Sequence, residues 1–552
     1  MKHLIKKLIK EALIFLQEKK EISQFEIPEI KVEYPEKKPH GDYSSSIALI
    51  LAKIIKKNPL EIAKIIVKNL DLKIKDQELF EKIEIAGTGF INFFLSKKYL
   101  QKKILEILKK KESFGQLKIG KNKKVNIEFC SANPTGPLHL GHGRNAFYGN
   151  VLANIFKKAG YQVTCEYFIN DYGQQIVLLG KSIDLRYREF LGQKIKMESS
   201  LYQGEYIKEI AKEIIQKYQN KYLKLDEEKR IKIFSEFALK KILKSVKKLL
   251  IQIGLKYDIW FSEKTLFKKK LIKKTIEILR KKNVVYEKEK ALWFKSTKFG
   301  DDKDRVLIKA NNETTYFTSD IAYHFDKNCR GYDLIINIWG ADHWGYKPRL
   351  MAAAEVLGFN QKLKIIIVQF VRLIKNEQEV KMGKRGGMFI ALEELIKEIS
   401  VDVTKFFFLF KSNDTHIDFN LELAKERSEK NPVYYFQYAY ARICSILKKV
   451  KTKPEIRIQN LKLLTHQREI ELIKQLIKLP EIVEETANDF QIHRILQYGL
   501  DIATLFHQFY QDCRVISEDQ NLTQARLILV LTTKIVIKNI ALLIGISTPQ
   551  KM

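Results

Sequence analysis

An alternation of apolar and polar residues begins at Val125 and stops after Phe129. Apolar side chains at every second position share one face of a strand, so this run predicts a strand with one face in a core. The next residues, Ser131–Pro137, contain two prolines and a glycine, which predicts a tight loop. From Leu138 onward the apolar residues recur at helical spacing. The pattern therefore predicts a strand, a loop and a helix in succession.

Similar apolar runs follow further along the chain. Val163–Phe168 is one, and Leu334–Ile338 is another that runs into the polar stretch Trp339–Trp344. Strands that alternate with helices in this order are typical of a parallel sheet with crossover connections. Between these runs, residues 174–298 show mainly amphipathic helix with heavy charge, which predicts a helical insertion between two halves of one α/β fold.

The patterns also divide the chain into three predicted domains. Residues 1–98 combine helical stretches with a Gly-rich, aromatic segment that enters a strand, which favours a small α/β domain. Residues 110–420 form the central α/β domain, with its insertion at about 174–298. From about Asp402 the pattern is almost wholly helical, and residues 431–552 are predicted to form an all-α bundle.

Length and charge narrow the class of protein. A chain of 552 residues is expected to form three or four domains. Its 99 Lys and Arg residues against 65 Asp and Glu residues give a formal net charge of +34, which favours a polyanionic partner such as nucleic acid. Lysines also crowd ordinary helical stretches such as Lys240–Lys248, so coding bias and solvated helix faces are the alternative explanation.

The cysteines and the apolar segments predict a cytoplasmic protein that does not enter a membrane. The five cysteines are scattered without a CxxC motif, so neither a zinc ribbon nor a disulfide framework is expected. The N-terminal helix is interrupted by lysines and lacks an apolar core of signal-peptide length. The most apolar stretch, Leu527–Ile546, is broken by Lys534 and Lys538, which favours a buried helix over a membrane span.

The predicted loop and helix at Glu128–His142 carry the first candidate chemistry. A helix N-terminus at the carboxyl end of a strand attracts phosphate oxygens. His139 and His142 are three residues apart and share one face of the first turn, and Gly141 lets a flat ring lie against the backbone. These features predict a nucleotide site, although the stretch is neither a Walker loop nor a three-glycine dinucleotide motif. A surface histidine pair or an incidental metal site is the alternative.

Two later segments add charge. Val380–Gly387 holds two lysines, an arginine and three glycines, which suits a cationic loop that closes over a triphosphate. A solvated turn is the alternative. Asp342 follows an apolar strand, at the sheet edge where ligands bind, and could accept hydrogen bonds from ribose hydroxyls. Its alternative role is that of a helix N-cap.

These segments resemble a known family. The tetrapeptide His-Leu-Gly-His at 139–142 resembles the HIGH signature of class I aminoacyl-tRNA synthetases, and Val380–Gly387 resembles their KMSKS loop. The arginyl-tRNA synthetases in particular are similar over SANPTGPLHLGHGR, YFTSD, GADHWGYKPR, NPVYYFQYAYAR and LLIGISTPQKM. The resemblance implies a Rossmann-like catalytic domain with a helical insertion, an N-terminal α/β domain that binds the tRNA elbow, and a C-terminal bundle that binds the anticodon.

The resemblance also implies roles for single residues in ATP chemistry. His139, His142, Lys381 and Lys384 occupy the catalytic positions of the two signatures. Gly141 and Asp342 are expected to bind ATP, with Mg²⁺ held mainly by phosphates and no dedicated metal ligands in the protein. The sequence departs from the family at Gly383, where Ser is usual, so one hydrogen-bond donor is lost.

Five residues are expected to bind the amino acid. A guanidinium presents a planar fork of five donors, for which a carboxylate is the natural bidentate partner. The residues expected where the two halves of the fold meet supply carboxylates, an amide and a phenol: Glu128, Asn133, Tyr316 and Asp320. His343 aligns with a family position near the amino end of the substrate.

Three residues are expected to contact tRNA. Phe90 and Asn92 match the family positions that touch a base of the D-loop, and stacking with an amide at a base edge is a workable way to recognise an unpaired nucleotide. Their alternative is a core aromatic and a strand-end hydrogen bond. Arg442 lies in the helix that resembles the start of the anticodon-binding bundle, for which plain core packing is the alternative.

The predicted reaction is activation of L-arginine by ATP and transfer of the arginyl group to tRNA for arginine. The carboxylate attacks the α-phosphorus, and no side-chain nucleophile is needed. Family resemblance implies that tRNA binds before the first step, and a monomer is expected. Two other hypotheses are a different HxGH nucleotidyltransferase, whose chains are usually far shorter, and an inactive tRNA-binding paralogue.

Overall fold

The computed structural model describes residues 1–74, 78–375, 378–379, 391–450 and 457–552. Its N-terminal region combines helices with a three-stranded antiparallel sheet of order β1–β3–β2. These elements are α1 (Lys2–Glu18), β1 (Tyr43–Ser45), α2 (Ile47–Ile55), α3 (Pro59–Ile74), β2 (Phe80–Ala86), β3 (Phe90–Leu95) and α4 (Lys97–Lys110).

The predicted strand, loop and helix are confirmed in the next unit. β4 (Lys124–Glu128) leads through the loop into α5 (Leu140–Lys158), and β5 (Gln162–Ile169) pairs with β4 in parallel. α5 lies unusually close to the sheet, because a Cβ on Gly149 would fall only 2.1 Å from Cγ of Phe129. Glycine at this position therefore permits the close approach of the helix to the end of β4.

The predicted insertion contains both helices and strands. Its first part contains three helices, in which α6 packs against both others: α6 (Gln174–Phe190), α7 (Glu205–Tyr218) and α8 (Glu227–Gln252). The chain then forms β6 (Ile259–Ser262), which pairs in parallel with β5 and so belongs to the central sheet. The insertion over 174–298 was predicted to be mainly helical, and the prediction missed its strands, because a strand of four residues is too short to show its periodicity among Lys-rich helices.

A small subdomain follows β6. It consists of α9 (Lys264–Lys268), α10 (Leu271–Lys281), β7 (Val285–Lys288), β8 (Ala291–Phe294) and β9 (Arg305–Ile308). Its three strands form an antiparallel sheet of order β7–β8–β9, which the sequence pattern did not predict. The buried side of α10 packs Ile272, Ile276 and Leu279 into the subdomain core.

The second half of the fold completes the central sheet. It contains α11 (Tyr316–Cys329), β10 (Leu334–Gly340), α12 (Lys347–Val356) and β11 (Leu363–Val368). The five strands run parallel in the order β11–β10–β4–β5–β6. The parallel sheet with crossover helices is therefore confirmed, and the carboxyl ends of its strands meet at one edge.

Beyond the sheet the chain forms a mixed unit and then the predicted helical bundle. The mixed unit holds β12 (Val371–Lys375), β13 (Gln378–Glu379), α13 (Leu392–Ile399), α14 (Val401–Leu409), β14 (Ile417–Asn420) and α15 (Leu421–Lys425). The bundle holds α16 (Pro432–Lys449), α17 (Ile458–Leu461), α18 (Gln467–Leu476), α19 (Leu479–Asp489), α20 (His493–Asp512) and α21 (Gln520–Ile544). Helix α21 is apolar and long enough to cross a membrane, but 72% of its most apolar stretch is buried inside the protein.

Candidate active site

Two histidine rings stack at the N-terminus of α5. His139 is the N-cap residue, and its backbone N–H donates to Nδ1 of His142 at 3.2 Å. The ring centroids are 3.6 Å apart with an interplanar angle of 25°. A Cβ on Gly141 would lie 3.2 Å from Cε1 of His139, so the glycine lets the His139 ring lie close against the backbone of this turn. Two imidazoles and the positive end of a helix thus face the same place.

The loop between β4 and α5 is strained and is held by hydrogen bonds. Cys130 and Ser131 have positive φ angles of 71° and 27°, which side-chain-bearing residues rarely adopt. The backbone N–H of Cys130 donates to Asn145 Oδ1 at 2.6 Å, and that of Ala132 donates to Tyr167 Oη at 3.0 Å. Asn145 lies on α5, so the helix itself fixes the strained turn that presents the histidines.

Glu128 at the end of β4 is paired inside the protein. Its Oε2 accepts from Nζ of Lys327 at 2.5 Å, and its Oε1 accepts from Oγ of Ser131 at 2.9 Å. Lys327 is fully buried on α11 and also donates to Oδ1 of Asn337 at 3.1 Å. The charge of Glu128 is therefore balanced from within, and one of its oxygens supports the strained loop. Its predicted contact with arginine stays a prediction.

A cluster of acidic side chains lies beside this pair. Oδ2 of Asp320 accepts from Tyr346 Oη at 2.6 Å, and burial, with a further contribution from the Glu128 charge, raises the pKa of Asp320 to about 7. Burial and the Asp320 charge raise the pKa of Glu263 to about 7 as well. Among the described residues, no Lys or Arg nitrogen lies within 4 Å of either carboxyl group, and Oε2 of Glu263 has no hydrogen-bond partner. Within the described ranges, these two carboxyl groups therefore lack a direct cationic partner, and the nearby Lys327 is engaged by Glu128.

Glu263 was not identified from the sequence. It directly follows β6, the short strand that the periodicity did not reveal, and its side chain is only 3% exposed. Asp171 joins the same cluster, with Oδ2 accepting from Oγ of Ser262 at 2.7 Å. An acidic residue after the short apolar run Ile259–Ser262 was the available signal.

The other residues predicted to bind the amino acid differ in their exposure and in their partners. Tyr316 begins α11, is 49% exposed, and has a pKa raised by burial and then by the charge of Glu263. Asn133 Oδ1 accepts from Nδ2 of Asn170 at 3.0 Å. His343 is exposed, with Nε2 at 3.6 Å from Oδ2 of Asp342.

Asp342 lies in a 3-10 helix, Ala341–Tyr346, at the end of β10. Gly340 occupies the N-cap position of this helix, so the N-cap role considered for Asp342 is wrong. The Asp342 carboxylate is exposed at the strand edge, where a ribose could reach it.

Lys381 and Lys384 lie outside the described residues. The first described residue after them, Ala391, forms a β-bridge with His139, and the backbone N–H of Leu392 donates to the carbonyl of Leu138 at 2.8 Å. The chain that follows the lysine-rich segment is therefore fixed directly against the signature histidines.

Arg144 of α5 connects the signature helix to the chain on both sides of the lysine-rich segment. It was not identified from the sequence. Its guanidinium is 1% exposed and donates to four backbone carbonyls, at 2.7–3.1 Å: those of Gln369, Phe408, Ser412 and Thr415. Gln369 directly precedes Phe370 and β12, the strand that leads toward the lysine-rich segment. Burial lowers the pKa of Arg144 to about 10, which still leaves it charged at neutral pH.

The predicted tRNA contacts differ in accessibility. Phe90 is 42% exposed at the start of β3, whereas Asn92 is 2% exposed and its Oδ1 has no partner among the described residues. The guanidinium of Arg442 lies over the rings of Tyr438 and Tyr510, at 4.6 and 5.1 Å from their centroids. Arg442, Tyr438 and Tyr510 line a cavity of about 470 Å³.

No group of three His, Cys, Asp or Glu residues in the described ranges is placed to hold a metal ion. Mg²⁺ commonly binds through substrate phosphates, waters and one or two carboxylates, so a protein cage is not required for it. The exposed Asp342 carboxylate is compatible with that kind of binding.

Comparison with known proteins covers the whole chain. Family models match the arginyl tRNA synthetase N-terminal domain at residues 3–95, the class I (R) tRNA synthetase catalytic domain at 103–416 and the DALR anticodon binding domain at 436–552. An arginine–tRNA ligase from Carboxydothermus hydrogenoformans is 42% identical over 95% of this chain and 94% of its own length. One from Citrifermentans bemidjiense is 44% identical, with 96% of each chain covered.

Solved structures show the same fold. Arginyl-tRNA synthetase from Thermus thermophilus superposes with a TM-score of 0.79 at 21% identity, covering all of both chains. The Plasmodium falciparum enzyme gives a TM-score of 0.77 at 20% identity, covering all of this chain and 99% of its own. The solved structures share the fold, and the family models with the relatives of 42% and 44% identity establish that the chain belongs to the arginyl-tRNA synthetases of class I.

Proposed function

We propose that this protein activates L-arginine with ATP and transfers the arginyl group to the 3′ end of tRNA for arginine. The observation that supports this function best is the pocket formed by Asp320, Glu263 and Asp171, whose negative groups lack a cation. A guanidinium is planar, permanently charged and rich in donors, so it suits two facing carboxylates better than an ammonium does.

In the pocket, Asp320 and Glu263 hold the guanidinium, and the exposed phenol of Tyr316 covers it. Asn133 and His343 lie toward the amino end of the substrate. Glu128 either contacts the amino end of the substrate as well, or positions the loop after β4 through the hydrogen bond that its Oε1 accepts from Ser131. The α-carboxylate then points toward the N-terminus of α5.

In the activation step, a carboxylate oxygen of arginine forms a bond to the α-phosphorus of ATP while the bond to pyrophosphate breaks. His139, His142, Lys381 and Lys384 stabilise the negative charge that builds on the phosphates, with the N-terminus of α5. Gly141 and Asp342 hold the adenosine. Mg²⁺, bound mainly by phosphates, supplies further charge neutralisation. The 3′-terminal ribose hydroxyl then attacks the arginyl carbonyl and releases AMP.

Recognition of tRNA is assigned to the two ends of the chain. The exposed Phe90 stacks on a D-loop base, and Arg442 with its tyrosines binds the anticodon. Asn92 is buried, so it can contact the same base as Phe90 only if the residues that bury it move. The domain boundaries 1–98, 110–420 and 431–552 follow this division, and a cytoplasmic monomer without membrane contact is the state we propose.

ATP–pyrophosphate exchange with arginine, run with and without tRNA, tests this function. We expect exchange with arginine that depends on tRNA. Exchange without tRNA and with another substrate would favour a different HxGH nucleotidyltransferase, and no exchange under any condition would favour an inactive tRNA-binding protein. Aminoacylation of tRNA for arginine, measured on the same preparation, completes the test.

A further inference from the structure

A tyrosine of the helical insertion contacts the loop that precedes the signature histidines. Oη of Tyr206 donates to the backbone carbonyl of Thr135 at 2.7 Å. Thr135 is buried and lies shortly before His139 in the chain. A buried carbonyl needs a donor from within the protein, because water cannot reach it. The insertion therefore supplies a hydrogen bond that stabilises the signature loop.

Two glycines make room for the ring of Tyr206. A Cβ on Gly136 would lie 3.1 Å from Cζ of this ring, and a Cβ on Gly204 would lie 2.5 Å from its Cε1. Neither glycine adopts the left-handed backbone that itself favours glycine. Their lack of a side chain therefore serves the close packing of the Tyr206 ring, on the loop side at Gly136 and on the insertion side at Gly204.

The position of this ring follows the position of the insertion. Tyr206 lies in the first turn of α7, and the buried residues Ile207, Ile210 and Ile214 anchor that helix in the core. α7 also packs against α6. A side chain in the first turn of a well-anchored helix moves with the helix, so a shift of the insertion would be passed to the loop.

Open space adjoins the contact. A cavity of about 470 Å³ lies between α7 and α8 of the insertion and α13, and Tyr206, Pro137, Leu138 and Ala391 are among the residues that line it. Close packing therefore does not fix the loop on this side, where a void provides no partner atoms. The position of the loop here depends on the hydroxyl and the ring of Tyr206.

The two ends of the loop are held by different parts of the protein. Its start, at Cys130 and Ala132, is bonded to Asn145 of α5 and Tyr167 of β5. Its end leads directly into the signature turn, and this is the part that accepts the hydrogen bond from the insertion. The insertion is therefore placed to affect the orientation of the stacked histidines.

We propose that Tyr206 is a positioning residue for adenylate formation, through which the insertion sets the loop that presents His139 and His142 to the phosphates of ATP. The histidines act on charge that develops during the reaction, so a small displacement of their turn lowers the rate more than it weakens binding. The proposal rests on the function proposed above, because it concerns the same activation step.

Tyr206→Phe, which removes only the hydroxyl, tests the hydrogen bond. We expect kcat for ATP–pyrophosphate exchange with arginine and tRNA to fall about five- to tenfold, while the KM values for arginine and ATP stay within about twofold. Tyr187→Phe is the matched control, because Tyr187 Oη donates at 2.6 Å to the carbonyl of Gln219, at the opposite end of α7. Its kcat per folded molecule should stay within about twofold of the wild-type value, even where its Tm falls.

A double-mutant cycle of Gly136→Val and Tyr206→Ala tests the contact between ring and loop. Alone, Gly136→Val pushes the loop away from the ring and should lower kcat for the exchange about tenfold. In the Tyr206→Ala background the space is free, so the same change should add less than about twofold to the loss. The folded fraction of each variant, measured by circular dichroism, separates this dependence from a loss of stability.

Each of the following results would overturn the proposal. A loss of kcat in Tyr206→Phe no larger than that in Tyr187→Phe would give the hydrogen bond a role in the fold alone. A raised KM for arginine with unchanged kcat would place Tyr206 at the amino-acid pocket. Additive losses from Gly136→Val and Tyr206→Ala would show that ring and loop act independently. Absent exchange by the wild type would instead refute the proposed function, and this inference with it.

Discussion

The arginine pocket depends on two carboxyl groups whose charge is costly in the empty protein. Burial is the main cause that raises the pKa of Asp320 and of Glu263 to about 7, and each is opposed by a neighbouring negative group. A bound guanidinium would stabilise the charged forms. Arginine binding should therefore release protons near neutral pH.

This linkage predicts the pH dependence of the pocket. The KM for arginine should fall as pH rises from 6 to 8, because both carboxyl groups become charged. Since their folded-state pKa values lie above the ordinary range, the contribution of Asp320 and Glu263 to the stability of the arginine-free protein should be complete below their ordinary pKa values and decline as pH rises through 7. Thermal unfolding with and without arginine measures this, and the shift in Tm on adding arginine should grow with pH.

Asp320→Asn should raise the KM for arginine about 100-fold or more and weaken its pH dependence, because one charged partner of the guanidinium is lost. Glu355→Gln, which removes an exposed carboxylate from α12, is the control. Tritiated arginine binding and aminoacylation kinetics are the measurements. An unchanged KM for arginine would contradict the pocket assignment.

Arg144 should affect the rate more than substrate binding. Its guanidinium ties α5 to four carbonyls of the segment that precedes and follows the lysine loop, and a lysine cannot reproduce that planar fork. Arg144→Lys should therefore lower kcat for adenylate formation about 10- to 100-fold, with little change in the KM for arginine.

The control for Arg144 is Arg230→Lys, which disturbs a buried pair with Asp184 in the insertion. It should lower Tm without a comparable loss of kcat per folded molecule. If the loss in Arg144→Lys merely follows the folded fraction, measured by circular dichroism, Arg144 has a purely structural role.

The sequence revealed residues that belong to local motifs and missed those that depend on distant partners. His139, His142, Tyr316 and Asp320 stand in recognisable strings; the structure stacks the two histidine rings, and it places Tyr316 near Glu263 and Asp320 against Tyr346. Lys327 and Arg144 could not be identified, because the carboxylate that pairs with Lys327 lies 199 residues away along the chain and the carbonyls that bind Arg144 lie 225 or more residues away. Long-range pairing of buried charges leaves no periodic signal.

Element length decided which parts of the fold were predictable. The helix α5 and the strands β4, β5 and β10 are long enough to show their period, and all were expected. The strands β6 to β9 have four residues each and lie among lysines. The sequence therefore did not reveal β6, which is the edge strand of the central sheet, or the three-stranded sheet of the small subdomain. Glu263 was lost with β6.

The lysine-rich segment can be tested at the level of the element that carries it. Ala391, the first described residue after this segment, pairs with His139 of the signature turn. Lys384→Ala should slow adenylate formation about 100-fold while changing the KM for ATP much less, since the lysine acts on charge that develops during the reaction. Lys375→Ala, at the end of β12, is the control. A normal kcat in Lys384→Ala would show that a segment with Gly383 takes no part in catalysis.

At the scale of the whole molecule, the two regions proposed to bind tRNA are joined by one buried carboxylate. Glu481 of α19 accepts from Tyr34 Oη at 2.5 Å and from Tyr43 Oη at 3.1 Å, and it contacts the N-terminal ammonium. Lys474 adds a salt bridge to Asp42 at 2.8 Å. The N-terminal sheet and the bundle are thus held at a fixed spacing, which lets Phe90 and Arg442 engage one rigid ligand together.

Glu481→Leu should therefore weaken both stability and tRNA binding. Removing one partner of a buried charge network costs about 3–5 kcal/mol, because the hydroxyls and ammonium are left without an acceptor. Burial raises the pKa of Glu481, but the ammonium and Tyr34 outweigh this and hold it below the ordinary value. Its contribution should thus be complete above pH 5 and disappear as pH falls through the lowered pKa.

The control Glu484→Gln breaks an exposed pair with His3 and should cost less than about 1 kcal/mol. Thermal unfolding and filter binding of tRNA measure the two effects at pH 7. If the fixed spacing matters, tRNA affinity in Glu481→Leu should fall at least tenfold below the melting transition while the KM for arginine is retained, since the pocket lies in a different domain. A loss of stability with unchanged tRNA affinity would show that the two regions bind independently, and the contact at Glu481 would then serve the fold alone.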